Sequence, residues 1–442
     1  MQRSHSPVRE NGAEFAERLA PPEHAVFLAQ QEIARLGLRA ELTMHQGKAG
    51  APLPFPVHDP AFAPGQEPRT WQCRLLDARD REQTRGCGKG FGPQARAAAL
   101  FESLEHWRLE RSARIGASPG EGESWALLPA RQVADQPELI DAPWLPLLHK
   151  QPEALLACQT FHDAEGRPLF LPAGLHFPNA PQPGLPGETF NYGPLAKYAS
   201  NSGTAAGASC LEASVHGILE LVERDALSLW LLRTYVSPRR HPIRLIRSTS
   251  LPSDLARVVR TLEAAWGPPF LVQLETEFPV HAYMVVLPRC NAPVSPSGHG
   301  ASLNPEYAAA RALLEALQEV HMQDRQTMSQ DAAIQDMLAP LPRYQRCHQR
   351  DMSVALEYNG SEYIDFKDAA QDWIPVDSLK EYAQELHRRL TRCGRRVFLA
   401  DLSAPFDHVS CVQVVIPGLE RFTSLSSGQV VLPGARGMAA AR

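Results

Sequence analysis

The chain has 442 residues, 44% hydrophobic and 21% charged, so it can bury a large core and is not a disordered chain. Its formal charge of −5, from 44 basic and 49 acidic residues, leaves no basic footprint for duplex nucleic acid. No apolar run approaches the roughly 18 residues of a membrane span, and MQRSHSPVRENGAEF has no hydrophobic signal region, so a cytoplasmic location away from the membrane is expected.

Residues 1–70 read as a variable lead-in. The apolar spacing of EHAVFLAQQEIARL predicts a helix over 23–36. The stretch APLPFPVHDPAFAPGQEP at 51–68 is too rich in proline for a helix or a central strand and reads as a linker. A second unit is expected over 71–442. It opens with a strand at WQCRLLDA, a glycine-rich turn from Gly86 to Gly92, and a helix over about 93–112 with Pro93 at a favoured early position. Segment 120–190 is irregular, with short strands such as PLFLPA. A long helix is predicted at about 209–233, strands at 269–275 and 281–287, and a helix at about 305–325 entered through Asn304 and Pro305. Residues 328–375 are polar and weakly patterned. A helix at about 377–392 precedes strands at RRVFLADL and CVQVVIPG. The class is α/β, and no internal repeat is visible.

Several common sites are missing. There is no G-x-x-x-x-G-K-[ST], no G-x-G-x-x-G in a strand–turn–helix setting, no H-E-x-x-H and no G-x-S-x-G. No two of the eight cysteines are spaced C-x-x-C, so free thiols are expected rather than a zinc or redox motif.

Three helices carry polar groups in Ala-rich or apolar surroundings. Glu102 and Glu105 are three apart and share a face; a solvated acidic stripe is the alternative there. On the long helix, Glu212, His216, Glu220 and Glu223 fall within an arc of about 80°, and Leu211, Ile218, Leu219, Val222 and Ala226 fill much of the rest. Three carboxylates on one face of an apolar helix are costly without cations. Mg2+ takes oxygen ligands and often shares them with phosphates. The entry SNSGTAAGAS, with Gly207 and Ser209, offers backbone N–H groups to an anion. On the third helix Arg311, Glu315 and Gln318 lie on one stripe. Alone it is an ordinary surface pair, but an Arg facing metal-bound carboxylates is what a triphosphate needs. Together these groups read as a nucleotide site built on a carboxylate–Mg2+ bed in place of a phosphate loop.

These segments resemble the YcaO family. The matching pieces are Gly88-Lys-Gly-Phe with Ala98 through Glu105, Gly203-Thr-Ala-Ala-Gly through Glu223-Arg-Asp-Ala, Gly298-His-Gly-Ala-Ser-Leu-Asn-Pro leading to Arg311 through Gln318, and Phe398-Leu-Ala-Asp-Leu with Val414 through Glu420. They stand in the family's order over about 71–425. The resemblance implies a YcaO-type α/β fold with mixed sheets and long helices carrying a glutamate-rich Mg–ATP site. By it, Glu102, Glu105, Glu212, Glu220 and Glu223 match metal positions. ATP contacts fall to Glu102, Glu105, Gly207, Ser209, Arg311, Glu315 and Arg224, the last being equally readable as a structural ion pair. It implies ATP-dependent O-phosphorylation of backbone amides in a ribosomally made precursor peptide, so that Cys, Ser or Thr side chains close to azolines, as in bacteriocin-like products. The alternatives are thioamide or amidine formation, and an accessory member that binds nucleotide without this chemistry. Implied partners are the precursor peptide, a separate leader-binding protein (E1-like or RRE-containing), a flavin dehydrogenase in the same pathway, and a second copy in a homodimer. No general base is assigned. Two departures stand out: Ala208 occupies a position where the family often has Asn, and the end VVLPGARGMAAAR lacks the Pro-x-Pro-x-Pro tail common among azoline-forming members.

Overall fold

A computed structural model describes residues 16–45, 62, 67–112, 125–176, 185–290, 292–404 and 406–442. In chain order they form α1 (Pro22–Arg35), β1 (Arg39–His45), β2 (Pro68–Leu76), β3 (Glu82–Phe91), α2 (Pro93–Ser112), β4 (Trp125–Pro129), α3 (Ala130–Ala134), α4 (Leu145–His149), β5 (Leu155–His162), β6 (Pro168–Pro172), β7 (Thr204–Gly207) and α5 (Cys210–Leu231). There follow β8 (Ile243–Ile246), α6 (Ser253–Ala265), β9 (Phe270–Leu274), β10 (His281–Val286), β11 (Ser297–Ser302), α7 (Pro305–Met322), α8 (Arg325–Leu338), α9 (Pro342–Gln349) and α10 (Met352–Asn359). The chain then forms β12 (Ser361–Ile364), α11 (Phe366–Ala369), α12 (Leu379–Arg392), β13 (Phe398–Asp401), β14 (Ser410–Val415) and α13 (Ala435–Ala440).

The strands make a three-stranded sheet in the order β1-β2-β3, a five-stranded sheet β11-β10-β9-β8-β12, and a six-stranded sheet β4-β5-β13-β14-β7 with β6 added on β5. Neighbours are antiparallel except β8 and β12. Helix α2 packs on β2 and β3, and α7 on β10 and β11. Helix α5 touches β7 and β14 on one side and β9, β10 and β11 on the other. Its Val215, Ile218, Leu219 and Val222 join Val412 and Val414 of β14 and Val272 and Met284 of the five-stranded sheet in one buried cluster. Burial on both sides explains why so few positions of α5 are polar, and makes those that are polar informative.

The helices expected at 23–36, 93–112, 209–233, 305–325 and 377–392 are all present within a few residues. The glycine-rich stretch from Gly86 is not a turn. It is strand β3, paired with β2, and the chain turns only at Gly92. Residues 328–375 are more ordered than their composition suggests: they hold α8 to α11 and β12, with Asp324 and Asp351 capping α8 and α10. Strand β1 pairs along its length with β2, which starts at Pro68 on the near side of the boundary expected at 70. Most of the proline-rich stretch at 51–68 lies outside the described residues. All eight cysteines are free. Among the described residues no helix is long and apolar enough to cross a membrane.

Candidate functional site

Three strand–helix units, β3–α2, β7–α5 and β11–α7, build one polar chamber. Each strand carries glycine where the following helix lies on it. A Cβ at Gly88 would stand 2.1 Å from the Ala95 carbonyl oxygen, one at Gly298 2.2 Å from that of Ala312, and one at Gly207 2.6 Å from the Ala213 amide nitrogen. No side chain fits in these gaps, so helix backbone meets strand backbone. Glutamates further along each helix then face one another: Glu102 and Glu105 from α2, Glu220 and Glu223 from α5, Glu315 and Glu319 from α7. The charge of Glu105 is felt against Glu102 and Glu220, that of Glu220 against Glu223, and those of Glu102 and Glu319 against Glu315. Backbone amides hold three of them, two from strands and one from the turn before β7. Cys87 N–H donates to Glu102, Ala206 N–H to Glu105, and Gly203 N–H to Glu220 at 3.4 Å.

Cationic side chains line the same chamber. Lys89 Nζ is 2.5 Å from Glu315 Oε2. Arg311 Nη2 is 3.6 Å from Glu223 Oε2, while its Nη1 donates to the Ala301 carbonyl at 3.0 Å. Arg224 Nε is 3.8 Å from Glu220 Oε1. Arg350, held in the left-handed backbone region at φ 51°, feels Glu319 and Asp331, and Arg421 feels Glu220. His299 Nδ1 is 3.2 Å from Glu315 Oε1.

Burial and crowding shape the ionisation. Burial, then the charges of Glu220 and Glu102, push the Glu105 carboxyl well above the usual carboxylate range. Burial also raises Glu102, Glu220 and Glu319, against the pull of His106, Arg224 and Arg350 respectively. Glu315 goes the other way. Burial acts to raise it, but Lys89 and the hydrogen bond to His299 hold it well below the usual range. Burial, with Arg18, Arg311 and Lys89 nearby, depresses His216 well below an ordinary histidine and keeps its ring neutral.

Four buried polar atoms here have no hydrogen-bond partner: Glu223 Oε2, Arg224 Nε, His299 Nε2 and Gln318 Oε1. Such atoms are uncommon in folded proteins, and bound water or an ion is what usually satisfies them. Orphaned acceptors beside crowded carboxylates suit a divalent cation, and an orphaned guanidinium N–H suits phosphate oxygen. The donor set thus fits Mg2+ together with a nucleotide.

Of the residues expected at the site, Glu102, Glu105, Glu220, Glu223, Arg224, Arg311 and Glu315 come together here. Glu212 stands at the other end of α5's polar face. Arg18 Nη1 lies 3.3 Å from its Oε1, and the Leu19 N–H donates to its Oε2 at 3.0 Å. The Ser209 hydroxyl caps α5 by accepting from the Glu212 N–H at 3.2 Å, and Gly207 provides the close strand–helix approach. Sequence reasoning missed Lys89, His299, Glu319, Arg350, Arg421, Arg18 and Glu17. The last is buried and accepts hydrogen bonds from Ser302 and, at 2.5 Å, from the Tyr382 hydroxyl. A signal existed for two of them: Lys89 and His299 each stand between two glycines of a strand.

The family described as "YcaO cyclodehydratase, ATP-ad Mg2+-binding" matches residues 87–420. An uncharacterised protein of Methanothermobacter thermautotrophicus is 26% identical over 352 residues, 76% of this chain and 82% of its own. Among solved structures, YcaO from Methanopyrus kandleri bound with AMPPCP and Mg2+ is 20% identical with a TM-score of 0.63, over 96% of this chain and 98% of that one. A heterocyclase in complex with substrate and cofactor is 19% identical, also at a TM-score of 0.63, over 93% of this chain; the chain spans only 55% of that protein's length. These two likenesses show the fold. The family match takes in the second half of β3 and all of β7, β11, α2, α5 and α7, the elements that build the chamber. On that match, the chain belongs to the YcaO family.

Proposed function

We propose that this chain is an ATP- and Mg2+-dependent enzyme that activates backbone amides of a ribosomally made precursor peptide. The observation that supports it is the convergence of six glutamates and four arginines from separate elements on one half-buried chamber, open to solvent at Glu319, with unsatisfied atoms of both signs. Glu102, Glu105, Glu220, Glu223 and Glu315 would hold Mg2+, and Lys89, Arg224 and Arg311 the phosphate oxygens. Bound Mg–ATP supplies an electrophilic phosphoryl group that turns a poor leaving group, the amide oxygen, into phosphate. The chain's own residues fix that group in place. Arg311 is anchored by the Ala301 carbonyl, and Glu102 and Glu105 by strand amides, so little reorganisation is needed as charge develops. His216, half-buried and held neutral, keeps a further positive charge out of the carboxylate face.

With a Cys, Ser or Thr side chain as nucleophile, attack on the carbonyl carbon followed by loss of phosphate gives an azoline. Residues 71–442 are the catalytic domain in this reading, and the described part of the preceding segment adds β1 and Arg18 to it. The peptide would be presented by a separate leader-binding protein, E1-like or RRE-containing, with a flavin dehydrogenase acting later and a homodimer as the working assembly. The second outcome keeps the nucleotide site and changes the nucleophile. Arg436 forks onto Asp225, and the Gly434 and Gly437 amides donate to Glu420, which ties α13 to the end of α5. An external sulfide or amine would then give a thioamide or amidine.

The test is calorimetric titration of Mg–ATP into the protein and into Glu223→Gln, followed by mass spectrometry of candidate precursor peptides with ATP. Binding that the substitution abolishes, with peptide that loses one water, supports azoline formation. Exchange of oxygen for sulfur supports the second outcome. No nucleotide binding by the unaltered protein overturns the proposal.

A further inference from the structure

Arg350 stands outside the three strand–helix units, beside Glu319 at the solvent-open end of the chamber. It follows α9 and closes its last turn, donating its backbone N–H to the Arg346 carbonyl at 3.0 Å. The residue sits in the left-handed region at φ 51° and ψ 37°, where glycine is the residue free of strain. A long side chain kept in that conformation points to a use for the side chain. One of its N–H groups reaches the Ser426 hydroxyl at 3.4 Å, and its Nε is buried without a partner. Glu319 and Asp331 offset its charge from a distance, but neither forms a hydrogen bond or an ion pair with it.

A buried polar relay aims this side chain. His348 is 2% and Gln335 8% exposed. Burial, then the charge of Arg350, pulls the His348 ring down to about 4, so the ring is neutral. Its Nδ1 accepts from the Gln335 amide, and the ring also bonds the backbone of Ser426, whose hydroxyl meets Arg350. The Gln345 amide in turn donates to the Gln335 carbonyl at 3.0 Å. The relay joins α8, α9 and the short helical turn Phe422–Ser427 around one guanidinium. Support of this kind fixes a side chain that has a ligand to meet.

Arg224 of α5 makes a pair with it. Its Nε is also buried without a hydrogen-bond partner, 3.8 Å from Glu220 Oε1, and its charge is felt at Arg350. Lys89 and Arg311 differ, because each has a carboxylate at 2.5 and 3.6 Å respectively. Two neighbouring guanidinium groups with unmet N–H donors suit a tetrahedral oxyanion, which accepts from both.

We propose that Arg350 and Arg224 form an oxyanion subsite that receives the phosphoryl group as it leaves the nucleotide for the peptide. The inference rests on the proposed function and adds its acceptor side. In that transfer the bond from phosphorus to the ADP oxygen breaks, its electron pair staying on ADP, and a bond from phosphorus to the amide oxygen forms. Loss of phosphate then breaks the carbon–oxygen bond, its pair leaving with the phosphate, and the amide proton goes to solvent. The phosphoryl group moves in line, away from ADP and towards the attacking oxygen. Arg350 stands on the side where the chamber opens and a peptide can enter, and Arg224 lies between it and the carboxylates.

The experiment is calorimetric titration of inorganic phosphate into the full chain, with and without saturating Mg–ADP, repeated with Arg350→Gln and Arg350→Lys. The expected result is phosphate binding that Arg350→Gln weakens about tenfold or more. Arg350→Lys keeps the charge and loses the planar fork, so it should weaken phosphate about fivefold. It reads the same interaction if Arg350→Gln does not fold. Affinity for Mg–ADP and for Mg–AMPPCP should change by less than about threefold. No phosphate binding by the unaltered protein, or binding that neither substitution weakens, overturns the proposal. So does equal loss of phosphate and Mg–AMPPCP, which would assign Arg350 to the terminal phosphate of the nucleotide. The two readings fail separately. Mg–ADP binding with phosphate binding indifferent to Arg350 sinks this inference alone. Phosphate binding that depends on Arg350, in a protein that takes up no Mg–ADP or Mg–ATP, sinks the proposed function and leaves the oxyanion subsite standing.

Discussion

The two ends of the polar face of α5 use the same residue type for different ends. At the amino end, Glu212 is closed: Arg18 and the Leu19 amide take both its oxygens, and its own backbone N–H is capped by Ser209. Two turns later, Glu220 and Glu223 are open: they crowd against Glu105 and one another, and Glu223 keeps an unpartnered oxygen. Helical spacing places all three on one side. What separates them is tertiary: an early segment of chain folds over one end and leaves the other to a ligand.

The largest expected effect tests that contrast directly. Glu223→Gln should weaken Mg–ATP binding by about 100-fold or more, roughly 2.7 kcal/mol, in calorimetric titration. Glu212→Gln should weaken it by no more than about fivefold. Equal losses would break the comparison and return Glu212 to the cation bed.

Next comes the strand under the closed end. Gly207→Ala sets a Cβ 2.6 Å from a helix backbone nitrogen that cannot step aside. Denaturant unfolding should show a loss of about 2 kcal/mol.

The open end also makes stability depend on pH. Glu102, Glu105 and Glu220 have carboxyl groups raised by burial first, so they favour the protonated form in the folded chain. Their contribution is fully present below the ordinary carboxylate range and is lost as pH rises through the raised values. Thermal denaturation of metal-free protein should therefore show a falling midpoint from mildly acidic to neutral pH. Saturating Mg2+ should flatten that slope, with proton release on binding visible in buffers of different ionisation enthalpy. A slope unchanged by Mg2+ would place the cation elsewhere.

The smallest effect is at the lid of the closed end. Arg18 is about a third exposed, so solvent screens its pair with Glu212. Arg18→Ala should cost about 1 kcal/mol of stability and make Glu212 available, so Mg2+ affinity should hold or rise. A fall in Mg2+ affinity would show Arg18 serving the ligand instead.

Much of the site was legible because long helices carry their own phase. The arcs holding Glu102 with Glu105, Glu220 with Glu223, and Arg311 with Glu315 follow from the helical repeat alone, and the folded chain joins them. The misreading of Gly86 to Gly92 as a turn has a physical cause. Glycine has weak strand preference, and the reason it is needed, α2 lying against β3, is invisible locally. The short helices α8 to α11 went unread because their hydrophobic spacing is weak and their order comes from caps and packing. Lys89, His299 and Arg350 join the chamber from elements that only the tertiary fold brings near α5, so no window along the chain could pair them with Glu223 or Glu319. Glu212 was legible as a position and illegible as an environment.

The chamber has no single owner in the chain. Its walls come from Lys89 at one extreme and Arg421 at the other, and no two of its three strand–helix units are neighbours in sequence. Closing it therefore requires loops of about ninety to more than two hundred residues to form before the carboxylates of different helices meet. The mutual repulsion of the glutamates opposes that last closure, so a divalent cation arriving then acts as the clasp of the whole fold. Tight cation binding should be among the last properties gained on refolding and the first lost on heating.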